Sequence, residues 1–141
     1  YWLLFVSLLM SGISITNSML IAVAERYKEI GTYKTLGALD RHILELFLVE
    51  AIFIGVTGGL VGYAGGVAAA AVYSAAVGQL GTLVGVLTAP TPLEALGGVP
   101  VFASLLVGSL LLSTVLSLLA TVYPAYHAAR LNPAEALRYE V

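Results

Sequence analysis

From Ile43 to His127 the chain has no lysine and no arginine, and a dense charged stretch, Glu25 to His42 (ERYKEIGTYKTLGALDRH), stands immediately before it. That distribution constrains the fold more than any motif. With 60% hydrophobic and 10% charged residues the chain falls far below the roughly 25% charge of a soluble domain. Eight acids and six bases cannot supply the polar surface that a water-soluble core of 141 residues would need. The chain is therefore expected to be all-α and transmembrane, with the charged stretch as an elbow between two spans. The opening YWLLFVSLLM lacks an initiator Met and a basic leader, and its apolar run is too long for a signal peptide, so a fragment of a longer membrane protein is expected. There is no cysteine, which excludes disulfides and thiolate metal sites. No basic face is available for nucleic acid.

Residues 1–24 read as the first span, long enough at about 1.5 Å per residue to cross the roughly 30 Å hydrocarbon layer. Tyr1 and Trp2 suit the far interface. Ser7, Ser11, Ser14 and Ser18 recur at i+4, i+3 and i+4 and share one face. Such a stripe either lets another helix approach closely or has each hydroxyl bonding its own preceding turn.

Residues 25–42 form the elbow. Glu25, Arg26, Lys28 and Glu29 continue at helical spacing, Gly31 is the expected bend or stop, and Asp40 is a candidate cap for the next helix. The elbow is either a plain charged anchor or a docking surface for a soluble partner. Its mixed signs exceed what anchoring requires, which favours docking through Glu25, Arg26, Lys28, Glu29, Gly31, Lys34, Gly37 and Arg41.

The second span is expected over 43–73. Glu50 lies about 10 Å along it from Ile43, where a carboxylate should face the bundle or water. A structural role, with hydroxyls or a backbone group on a neighbouring span as partners, competes with an ion-carrying one. Gly55, Gly59, Gly62 and Gly66 form a ladder flanked by Gly58 and Gly65, with GxxxG spacing at Gly55–Gly59, Gly58–Gly62 and Gly62–Gly66, suited to close backbone approach. Residues 74–100, broken by glycines and by Pro90, Pro92 and Pro100, read as an extracytoplasmic connection holding a short interfacial helix; a re-entrant segment is the competing description. The third span is expected over 101–124, with Ser109, Ser113 and Ser117 at i+4 spacing and Pro124 ending or kinking it. A tail, 125–141, follows, in which Asn132, Pro133 and Glu135 suit the start of a helix.

All six Lys and Arg residues lie in Arg26–Arg41 or Arg130–Arg138. The positive-inside rule then places elbow and tail in the cytoplasm and the N-terminus outside: three spans, N-out and C-in. No nucleophile–base pair, metal motif or phosphate-binding loop is present, so no catalytic, metal-ligating or cofactor-binding residue is expected. His42 and His127 are isolated boundary residues. Besides a partner-coupled subunit, the pattern admits a small structural or regulatory membrane protein, or an ion carrier dependent on Glu50.

The stretch Asn17–Ala51 resembles the signature of the FtsX-like permease family, which includes ABC transporter membrane subunits of the macrolide-exporter and lipoprotein-releasing type. The matching residues are Glu25-Arg26, Glu29-Ile30-Gly31, Leu36-Gly37-Ala38, Phe47-Leu48, Glu50-Ala51 and Gly58-Gly59-Gly62. Pro124-Ala125, Ala128-Ala129, Pro133 and Glu135 to Arg138 resemble the family's closing motif. The resemblance implies the last three of four spans in a multi-pass subunit of the cell membrane, surrounded by lipid. It further implies a cytoplasmic coupling helix within 25–41 that docks on an ABC ATPase subunit, ATP held by that partner, and a second permease copy beside the first.

Overall fold

The computed structural model describes residues 1–90 and 99–130. Among these the chain forms five helices: α1 (Trp2–Glu25), α2 (Tyr27–Thr35), α3 (Asp40–Ala76), α4 (Leu80–Thr88) and α5 (Val101–Ala129). Three of them, α1, α3 and α5, are long and apolar enough to cross a membrane. The protein is an all-α, multi-pass membrane protein. Its surface agrees, since Leu3, Phe5, Ile13, Phe53, Val61, Leu111 and Leu119 are all more than half exposed. In a bilayer such side chains meet lipid tails at no hydrophobic cost.

The helix breaks differ from the expected ones. Arg26 (φ −94°, ψ 12°) alone separates α1 from α2, and its N–H bonds back to the Ala22 carbonyl at 3.1 Å. Gly31, expected as the bend, lies inside α2 and is buried. The turn is made by Gly37, at φ +93°. There Ala38 N–H bonds to Tyr33 O (2.9 Å) and Gly37 N–H to Lys34 O (3.1 Å), the paired closure that satisfies the last carbonyls of a helix and needs a left-handed residue. Asp40, expected as a cap, is the first residue of α3, which at both ends outruns the expected 43–73. Gly78 (φ +75°) closes α3 with the same paired bonds, Gln79 N–H to Ser74 O and Gly78 N–H to Ala75 O.

The described chain divides into two compact units, Tyr1–Gly55 with Val115 onward, and Val56–Thr114. The first has a small core of Met19 and Val23 from α1, Ile30 from α2, Ile43, Phe47 and Ala51 from α3, and Ala125, Ala128 and Ala129 from α5. The alanines of α5 bring backbones close, and two polar bonds fix the register. Ser117 Oγ donates to Ala51 O at 2.8 Å, and Thr16 Oγ1 lies 3.0 Å from Ala120 O and 2.9 Å from Gly12 O. The second has a cause in the sequence. Pro124 lacks an N–H, so the carbonyl four residues earlier, Ala120, has no intrahelical donor, and a hydroxyl from α1 reaches it. Pro124, expected to end or kink the span, sits buried inside a helix that continues to Ala129.

In the second unit Gly59 is the tight contact. A Cβ there would collide with Ser113 Oγ and come within 3.1 Å of the Leu110 backbone. The rest of the expected ladder differs: Gly62 and Gly66 are exposed, with nothing within 4 Å of a Cβ. Ser109 and Ser113 bond back to Leu106 O and Leu110 O of their own helix, and Ser117 bonds to another helix. The α1 stripe does not pack within the described chain. Ser7, Ser11, Ser14 and Ser18 are all exposed, and Ser7 and Ser14 bond to Leu4 O and Met10 O. The expected helix start at Asn132–Glu135 lies outside the described residues.

Candidate functional site

The elbow is positioned from both sides by the spans it joins. α2 is amphipathic over a single turn's width: Ile30 is 4% exposed and seats α2 on Ile43 and Phe47, while Lys28 and Glu29 point to solvent. Acid in its first turn (Glu29) and base in its last (Lys34) both complement the helix dipole.

Among the described residues, three ion pairs then tie the segment down. Arg26 Nη1 lies 3.5 Å from Glu50 Oε2, Lys34 Nζ lies 3.0 Å from Asp40 Oδ1, and Arg41 Nε donates to Glu45 Oε1 at 2.8 Å. The first replaces the expected partner of Glu50. Instead of hydroxyls or a backbone group on another span, the carboxylate meets the guanidinium at the α1–α2 joint. At 3.5 Å the contact is charge attraction without a hydrogen bond, and Glu50 Oε2 accordingly has none despite being buried. The pair is half open to the surroundings, at 48% and 32% side-chain exposure, which fits a group at the edge of the hydrocarbon. The second pair crosses the Gly37 turn and joins the end of α2 to the start of α3, with Lys34 only 11% exposed. Arg41–Glu45 is an i,i+4 pair on an exposed face and contributes little.

Of the eight expected docking residues, Arg26, Lys34 and Arg41 are thus engaged inside the chain, Gly31 is buried, and Gly37 shapes the turn. Glu25, Lys28 and Glu29 remain turned outward. What the charge-based reading missed is apolar: Leu36 is 80% exposed and Leu39 64%, flanking Gly37 at the tip of the elbow, with Tyr33 and Leu46 more than half exposed beside them. The signal was in the sequence, two leucines around a glycine in a stretch otherwise full of charge. Behind them a cavity of about 280 Å³ is lined by Ile30, Ile43 and Phe47 and by the polar Arg26, Glu29 and His42. The site offers a knob of leucines, a cleft and fringing charges, a form suited to gripping a protein surface. It offers no constellation for bond making; among the described residues no group of three His, Cys, Asp or Glu side chains comes together.

The family model for the FtsX-like permease C-terminal region matches residues 1–133. An uncharacterized ABC transporter permease of Bacillus subtilis, YknZ, is 37% identical over 137 residues, covering 96% of this chain and 30% of that protein. The macrolide export ATP-binding/permease protein MacB of Bdellovibrio bacteriovorus is 38% identical over 135 residues, covering 96% and 18%. An uncharacterized ABC transporter permease of Methanocaldococcus jannaschii is 36% identical over 135 residues, covering 96% and 31%. The chain spans under a third of the length of these curated relatives.

Proposed function

The chain belongs to the FtsX-like permease family of ABC transporters, and from that premise we propose that its elbow is where the motion of a cytoplasmic ATPase subunit enters the membrane helices. The chain itself holds no nucleotide in this reading. ATP is bound and hydrolysed by the ATPase partner in this reading. The observation that carries the proposal is the exposed leucine tip, Leu36 and Leu39, in the turn that follows a short helix tethered to the spans by Ile30, Arg26–Glu50 and Lys34–Asp40. Exposed apolar residues on a charged, polar-facing segment need a protein to cover them. The tethers make a push at the tip move α1 and α3 together.

Displacement then passes along α3, which runs unbroken from Asp40 to Ala76, about 55 Å at helical rise. A second permease copy is proposed to meet the serine stripe of α1, whose small residues stay exposed in the single chain and permit close helix approach. Glu50 serves as the inner end of a tether; its pairing with Arg26 speaks against an ion-carrying carboxylate.

The experiment is a pair of substitutions in the full-length permease, Leu36→Asp and Leu39→Asp. Co-purification of the ATPase subunit should fall sharply while membrane insertion stays normal. Undiminished ATPase recovery from the double variant would refute docking at this tip.

A further inference from the structure

We propose that the cleft behind the leucine tip receives one arginine side chain of the ATPase subunit, its stem on the apolar floor and its guanidinium paired with Glu29. This rests on the reading of the elbow as the docking site and names what the partner must bring to it. The cleft is walled by α2, the Gly37 turn and the start of α3, and measures about 280 Å³. That is below the roughly 300–1,000 Å³ of pockets for drug-sized ligands and suits a single inserted side chain. Its floor is apolar and firm, since Ile30, Ile43 and Phe47 are all buried in the core of the first unit. Polar groups line it as well: Arg26 and Glu29 from the α2 side and His42 from α3.

The sign of the occupant follows from where the charges are already matched. Arg26 is held by Glu50, Lys34 by Asp40 and Arg41 by Glu45. Lys28 belongs to a different groove, with Ala24, Glu25 and Tyr27. Glu29 lines the cleft and has no ion-pair partner among the described residues. In the free chain it is exposed, so water satisfies it. Docking removes that water. Ala38 stands on the cleft wall directly before Leu39 in the chain, so a partner that covers the leucines also closes the cleft. A carboxylate stripped of water is strongly unfavourable unless a cation is set beside it. An acidic or purely apolar side chain would leave Glu29 unmatched.

The remaining wall favours arginine over lysine. Its aliphatic stem covers apolar surface while the charged head stays at a polar rim. The guanidinium meets a carboxylate through two parallel N–H bonds and stacks on aromatic rings, which an ammonium does less well. Tyr33, at i+4 from Glu29 on α2, lines the same cleft and is more than half exposed. Arg26 is no obstacle, because Glu50 lies 3.5 Å from it and balances its charge.

The test uses the full-length permease with its ATPase, read by co-purification after membrane insertion is verified. Leu36→Asp with Leu39→Asp is run alongside as the measure of docking itself. Glu29→Arg should lower ATPase recovery by about tenfold or more, the scale of removing one partner from a desolvated charge pair. It is then combined with ATPase variants in which each surface arginine is changed singly to glutamate. One of these should restore recovery with Glu29→Arg and bind the native permease poorly. Ala38→Leu, which narrows the cleft without altering charge, should also lower recovery, and the restoring ATPase variant should not rescue it. Undiminished recovery with Glu29→Arg, while the leucine variants lose the ATPase, would overturn the cleft proposal and leave docking at the tip standing. A loss that no arginine variant restores would give the cation to a lysine, a lipid amine or the permease itself, and would overturn it equally. Full recovery with the leucine variants would refute docking, and the cleft proposal with it. Where Glu29→Arg blocks insertion, Glu29→Gln is read by salt: recovery should fall less steeply with added salt than for the native permease, and equal slopes would overturn the proposal.

Discussion

Thr16 shows how one residue answers a defect made by another. Pro124 strips the Ala120 carbonyl of its donor, and the Thr16 hydroxyl is 3.0 Å away. Thr16→Val is expected to cost about 1 kcal/mol, the usual worth of an interhelical hydrogen bond in a membrane protein, read as a lowered melting temperature in detergent. With Pro124→Ala, residue 124 regains an N–H for Ala120 and the same Thr16→Val change should cost less. Equal losses in both backgrounds would mean the two residues are uncoupled. Gly59 gives a second case. Alanine there meets Ser113 Oγ and the Leu110 backbone, so Gly59→Ala should destabilise despite alanine's helix propensity, favourable by roughly 1 kcal/mol. Gly62→Ala, with open space around it, should be neutral or stabilising in the isolated chain. Thermal unfolding of the two variants side by side decides this.

At the scale of elements, the three apolar helices and the all-α fold were legible because hydrophobic run lengths and the placement of Lys and Arg report directly on a bilayer. The joints were less legible. Gly31 and Gly37 are equally permissive residues, and only packing distinguishes them: Gly31 sits against the core beside Ile30, whereas Gly37 takes the positive φ of the turn. The serine and glycine stripes posed the same problem. Spacing puts residues on one face but does not say which neighbour that face meets, and Ser7, Ser11, Ser14 and Ser18 all stay exposed. Charge pairing across the elbow was invisible for a related reason, since Arg26 and Glu50 are remote in sequence and meet only once α2 folds back. The expected consequence is that Arg26→Glu, placing two carboxylates together, decouples ATP hydrolysis from transport-linked activity by about tenfold, within the usual range of coupling energies. Arg26→Glu with Glu50→Arg should recover part of it. Failure of the swap to recover anything, with the protein properly inserted, would assign Arg26 to direct partner contact instead.

For the molecule as a whole, the proposal is that a soluble ATPase grips a leucine tip, that ion pairs and Ile30 carry the push to α1 and α3, and that the spans deliver it outward. Three of the elbow's four basic side chains, Arg26, Lys34 and Arg41, are paired within the chain, and the proposed grip is apolar. Site-specific photocrosslinking in the assembled full-length transporter tests that division most directly. A photoreactive phenylalanine at Leu36 or Leu39 should form an adduct with the ATPase subunit, and one at Phe53 on the exposed side of α3 should not. An active, intact complex giving no adduct from either leucine would contradict the account.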